Sequence, residues 1–271
     1  MTSLVELAST QLTPAAERTL KLLMRIARAK TPEEAEATLA VRSELDLSAD
    51  PWVKNAQPLD VTLLKPLAKL KTLKLDNQPV ENPEGLSELP ALERLSIKLA
   101  WWGPLDPLAR ATKLTHLTLD ENGLGTLAPL AGLTQLVSLS FNKNSIRDLA
   151  PLTAMDALEE LFLAENDISS LEICRNLVQL KRLVASQNLI EDLAPLTRLR
   201  NIRFLDVSRN RISDLEPLRD LRDLSDLNLR DNSVRNLKPL KDLWNLSALG
   251  IGGNPVYSDD IDDISRRIRL Y

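Results

Sequence analysis

One histidine, one cysteine and eight glycines are what this 271-residue chain offers for zinc, thiol or phosphate chemistry. His116 has no cysteine or second histidine beside it from which to build a zinc site, which needs three or four converging nitrogen and sulfur ligands. It precedes Leu117 and should face outward, where it reads as a contact residue rather than a general base. Cys174 stands in a column with Leu130, Leu152, Leu196, Leu218 and Leu240, a buried position. A buried thiol acts as a small hydrophobe and is inert. Neither GxxxxGK[ST] nor GxGxxG occurs. Gly250, Gly252 and Gly253 crowd a predicted strand, but no helix follows at once to receive a phosphate; relaxed packing at a terminal repeat is the expectation. Residues 1–58 hold no histidine or cysteine. The chain reads as a non-enzyme with no cofactor and no metal.

Composition narrows the class further. Hydrophobic residues make up 44% and aromatics 3%, so the core must be aliphatic. A formal charge of -4 and a pI near 5.3 argue against a nucleic-acid partner, which calls for a basic surface. No apolar run approaches the roughly 20 residues that span a bilayer, and MTSLVELASTQ lacks a basic leader. A single cysteine excludes an internal disulfide framework. A cytoplasmic protein without membrane contact is expected.

Whatever the chain does must then be done by a surface, and a repeat dictates that surface. Asparagine recurs at Asn122, Asn144, Asn166, Asn188, Asn210, Asn232 and Asn254, a step of 22 each time. The leucine frame extends back through Ala100 and Gln78, giving nine repeats in one register. In LxLxxN (Leu117-Leu119-Asn122, for example) the alternation is that of a strand. Ile146, Ile168, Ile190 and Ile212 then turn inward. A leucine period of three follows, as in Leu130, Leu133, Leu136 and Leu139, which suits 3₁₀-like turns. Pro129, Pro151, Pro195, Pro217 and Pro239 forbid a long helix there. Each asparagine stands where the strand ends, and its amide should bond turn backbone, building a ladder from coil to coil.

The pattern LxLxxNxIxxLxPL, running from Leu117 to Leu240, resembles the leucine-rich repeat family of the type found in bacterial internalins and a regulatory subunit of protein phosphatase 1. The resemblance covers about residues 59–257. It implies an α/β fold: a right-handed solenoid with a parallel sheet on its concave side and 3₁₀ or extended segments on its convex side. Some bacterial members are ubiquitin ligases with a catalytic cysteine; the buried frame position of Cys174 and the lack of room for their separate catalytic domain set that reading aside.

A solenoid exposes apolar surface at its ends unless caps cover it. Thr13-Pro14 and Thr31-Pro32 are helix starts, and Leu20, Leu23, Ile26 and Ala27 form an apolar stripe. Residues 1–58 are read as a helical N-terminal cap, 59–257 as the repeats, and 258–271 as a capping helix. In that last helix acids precede Arg266, Arg267 and Arg269, and Ile261, Ile264 and Ile268 plug the last coil.

Outward strand positions form the candidate site. Phe162 and Val184 should lie side by side, with Phe204 one column over. Glu160, Arg182, Asp206, Asp226 and Arg230 ring them, as a polar rim rings an interface anchor. Neighbours on a sheet also pack on one another without any partner. His116, Asp120 and Asn142 extend the face. Trp101 should lie outside in an irregular repeat that also exposes Leu99, as a secondary contact patch or as local repacking around the missing asparagine. These positions fit a protein-binding scaffold, an adaptor or regulatory subunit. An inhibitor of the immunity type, blocking a partner's active site, is the alternative. A surface adhesin would need an export signal and an anchor, neither of which is visible. A second copy of the chain is another candidate occupant of the concave face.

Overall fold

The computed structural model describes residues 3–52, 55–100, 103–257, 261 and 268–271. The chain forms two compact units, residues 1–122 with 129–136, and residues 123–128 with 137–271.

In the first unit, three helices lead into the coils: α1 (Leu4–Ala8), α2 (Pro14–Ala27) and α3 (Pro32–Leu39). Ser3 and Glu6 form a capping box at α1, and the hydroxyls of Thr13 and Thr31 accept from Ala16 and Glu34 N–H at the starts of α2 and α3, satisfying orphan helix donors. The buried face of α2 is Ala15, Ala16, Thr19 and Leu23. Of the stripe expected there, only Leu23 is fully buried, while Leu20, Ile26 and Ala27 are half-buried. Small residues let the helix sit close, and Thr19 Oγ1 accepts the Asp60 N–H at 2.8 Å. The cap region also holds a strand that the sequence pattern does not announce. Glu44–Asp46 pairs in parallel with Thr72–Lys74, followed by Arg94–Ser96 and His116–Thr118.

In the second unit the strands Ser138–Ser140, Glu160–Phe162, Arg182–Val184, Phe204–Asp206, Asp226–Asn228 and Ala248–Gly250 each pair in parallel with the next. The register is in step, Leu161 against Leu183 against Leu205. Central leucines point into an aliphatic core and their neighbours face out. Phe141 takes a fully buried place in that core. Opposite the strands lie short 3₁₀ turns such as Ala150–Leu152, Ala194–Arg198 and Glu216–Leu218, with proline at the first or second position.

The asparagine ladder is present. Asn188 Oδ1 accepts the Ile168 N–H at 3.0 Å, and its Nδ2 donates to Leu163 O at 2.9 Å in the preceding coil. Asn166, Asn210 and Asn232 repeat the arrangement. Two further columns keep the same period. Thr126, Asp148, Ser170, Asp192, Asp214 and Asn236 each accept the N–H two residues on, at 2.7–3.2 Å, and open the 3₁₀ turns. The residue before the asparagine position is left-handed in coil after coil, from Asn77 (φ 58) through Leu99, Glu165 and Arg209 to Gly253 (φ 77).

The capping helix expected over 258–271 is described only at Ile261, which is helical, and at its last residues. Residues 258–260 and 262–267, including Ile264, Arg266 and Arg267, lie outside the described residues. Arg269–Leu270 is a strand, paired in parallel with Ala248–Leu249, so Arg269 does not end a helix. Ile268 is buried, 3% exposed, as a plug requires.

Candidate functional site

The outward positions of four consecutive strands in the second unit meet on one sheet face. Glu160, Arg182, Phe204 and Asp226 are in register in one column; Phe162, Val184, Asp206 and Asn228 form the next. Phe162, Val184 and Phe204 are half-buried rather than fully exposed, because in-register neighbours cover them. The Arg182 guanidinium lies over the Phe204 ring, 4.1 Å from its centroid, a cation–π pairing that holds the charge flat on the face. Asp206 binds inward and sideways. Its Oδ1 accepts the Ser208 N–H and hydroxyl, at 3.0 and 2.7 Å, and its Oδ2 accepts the Asn228 amide at 3.1 Å. Glu160 Oε2 accepts the Ser138 hydroxyl at 3.1 Å.

Tyr271 belongs to this face, and sequence reasoning missed it. From the strand beyond Ala248–Gly250 it turns back over the sheet. Its hydroxyl donates to Asp226 Oδ1 at 3.0 Å, and its ring lies under Arg230, 4.8 Å from the guanidinium carbon. Burial, and then the bond to Asp226, push its phenol up to about 12. Gly250 is the signal that marks this contact. A Cβ there would stand 2.6 Å from Asn228 Oδ1 and 3.1 Å from the Tyr271 ring, so close approach, not relaxed packing, accounts for the glycine. Two guanidinium–aromatic pairs, Arg182–Phe204 and Arg230–Tyr271, therefore flank the Asp206–Asn228–Asp226 group.

The remaining predicted positions separate from this cluster. Asn142 is in the second unit, but its amide serves the fold: Oδ1 accepts the Ala164 N–H at 2.8 Å and Nδ2 donates to Ser140 Oγ at 3.0 Å. His116 and Asp120 belong to the sheet of the first unit. His116 Nδ1 is 2.9 Å from Thr115 Oγ1, and Asp120 pairs with Lys98 at 3.7 Å. Trp101 lies outside the described residues; Leu99 beside it is exposed. Cys174 is wholly buried, and burial pushes its thiol up to about 12, the state of an unreactive side chain. Among the described residues no group of three or more histidine, cysteine, aspartate or glutamate side chains is placed to hold a metal ion, and no helix is long and apolar enough to cross a membrane.

Parallel strands closed by 3₁₀ turns, with an asparagine bonded back to the preceding coil, define a leucine-rich repeat solenoid. A model of leucine-rich repeats in two copies matches residues 178–221. No curated protein matches the sequence. Among solved structures, an internalin of Listeria monocytogenes is similar over 96% of each chain, at 22% identity and a TM-score of 0.61. A leucine-rich repeat protein of Leptospira interrogans gives a TM-score of 0.76 at 22% identity, over 88% of this chain and 62% of that one. The repeat ectodomain of a membrane receptor kinase from Arabidopsis thaliana, in complex with Casparian strip integrity factor 2, gives 0.64 at 21% identity, over 79% and 27%. The chain has the leucine-rich repeat fold, and its residues 178–221 match the repeat's model.

Proposed function

We propose that the chain is a non-catalytic scaffold that binds a partner protein on the sheet face running from Glu160 to Arg230 and on to Tyr271. Leucine-rich repeat solenoids in general offer such faces to protein partners, and the plant ectodomain similar in fold was solved with its factor bound. The observation that carries the reading is the Arg182–Phe204 pair at 4.1 Å beside Phe162 and Val184. A planar cation fixed on a ring next to an apolar pair, with acids around it, has the make-up of an interface anchor, where arginine and aromatics dominate the binding energy. Affinity capture from source-cell lysate tests it, comparing the native chain with a Phe162→Glu, Phe204→Glu double variant whose fold is checked by circular dichroism. A partner retained only by the native chain supports the reading; one held equally by both overturns it.

A further inference from the structure

Helix α2 carries a charge pattern that the sheet face does not use. In a chain of formal charge -4, residues 14–28 hold Arg18, Lys21, Arg25 and Arg28 against a single acid, Glu17. Arg18, Lys21 and Arg25, spaced three and four apart, share one side of the helix, and all three line a cavity of about 530 Å³. That volume is in the range of ligand and peptide side-chain pockets. The cavity floor is apolar: Leu47 and Leu59 are buried and Leu22 is half-buried. Arg18 is fixed in place, its Nε–H donating to Pro58 O at 3.0 Å. Lys21 meets Glu17 only at 3.6 Å, with both side chains mostly in water, so that pair holds it weakly. Asp50 is the one acid on the lining among the described residues, and its Oδ1 already accepts the Trp52 N–H at 2.9 Å.

We infer that this groove is a second docking site, and that its occupant is an acidic, leucine-bearing peptide segment of a partner protein. An apolar side chain of the segment packs on Leu22, Leu47 and Leu59 while flanking carboxylates meet Arg18, Lys21 and Arg25. Charge complementarity selects this occupant: three cations above an apolar floor repel a basic segment, and a purely polar one leaves the floor wet. The site is separate from the sheet face and does not depend on that reading.

The test is fluorescence anisotropy with the full chain and a labelled peptide alternating glutamate and leucine. The glutamate peptide is expected to bind at least tenfold more tightly than peptides with lysine in place of glutamate or serine in place of leucine. Lys21→Glu with Arg25→Glu, both exposed positions, should abolish that preference, while Phe162→Glu with Phe204→Glu should leave it intact. A thermal melt checks folding, and Lys21→Gln with Arg25→Gln serves if charge reversal unfolds the helix. Equal affinity for the glutamate and lysine peptides overturns the inference. So does binding insensitive to either pair of substitutions at 21 and 25. Attachment to phosphatidylserine vesicles without peptide binding would reassign the cations to a membrane surface and overturn it as well.

Discussion

Replacing Asn188 with alanine tests the ladder at a fully bonded point. The side chain makes four hydrogen bonds: it accepts from Ile168 N–H and donates to Leu163, Ala185 and Ser186 carbonyls at 2.9–3.2 Å. The carbonyls keep other partners. Leu163 O retains Asn166 Nδ2, Ala185 O retains Asn210 Nδ2, and Ser186 O retains the Glu165 N–H. The Ile168 N–H loses its acceptor in a residue with no solvent exposure. An unsatisfied buried N–H costs about 1–3 kcal/mol, and the shared donors roughly a further 0.5–1.5. The loss should therefore be about 1.5–4.5 kcal/mol. Urea unfolding followed by circular dichroism measures it, and native-state hydrogen exchange should show the Ile168 amide losing protection. Asn188→Asp separates acceptor from donor: it keeps an oxygen for Ile168 but turns a carboxylate toward three carbonyls. At neutral pH it should be at least as unstable as alanine, recovering in part as acid protonates it. An alanine variant within about 1 kcal/mol of the native chain, with the Ile168 amide still protected, refutes the reasoning.

Other positions give sharper single readouts. Glu165→Gly, at φ 56, should raise stability by up to about 1 kcal/mol in the same urea titration, since glycine enters the left-handed region freely; a loss would show that the side chain, not the backbone, matters there. Gly250→Ala should dislodge Asn228 and Tyr271 for a cost of roughly 1–3 kcal/mol, read in the same urea titration; an unaltered midpoint counts against the packing described. Cys174, with its thiol raised to about 12, should resist alkylation until the chain unfolds. The sign follows from the raised value: the neutral thiol favours the folded state fully below the unfolded value near 9, and that contribution falls away as pH rises toward 12. In Cys174→Ala the alkaline loss of stability should be smaller by this amount.

What the sequence discloses depends on whether a residue's partner has the same period as the residue. The ladder asparagines were legible because each must meet identical backbone groups every 22 positions, so type and spacing agree. Strand faces followed from alternation, and Phe162 beside Val184 needed only the register. The left-handed position stayed hidden because it is filled by Asn77, Leu99, Glu165, Gln187 and Arg209 alike; their N–H groups bond the next coil, which offsets the conformational cost without demanding a residue type. Tyr271 was illegible for a different reason: its partner Asp226 is 45 residues away and outside the repeat's frame. Arg269 looked like a helix end because local charge placement is a local rule, whereas joining a sheet edge is decided by tertiary pairing. The strand Glu44–Asp46 is no shorter than the repeat strands, but it pairs with Thr72–Lys74 at a step of 28 rather than 22, so the repeat's ruler does not point to it.

The reach of the asparagine side chain sets a rule for how such a chain can change in length. Each amide spans from its own turn to the coil before it, so one residue added between Leu163 and Ile168 would carry Asn166 away from both Phe141 O and the Ile146 N–H. Nine frames from Gln78 to Asn254 hold the step without an offset. Length can therefore grow only in whole coils, each widening the sheet by about 4.8 Å, while the outward columns can be rewritten one residue at a time. Span is quantised and specificity is continuous, which lets a lineage resize its binding face and retune it by independent genetic events.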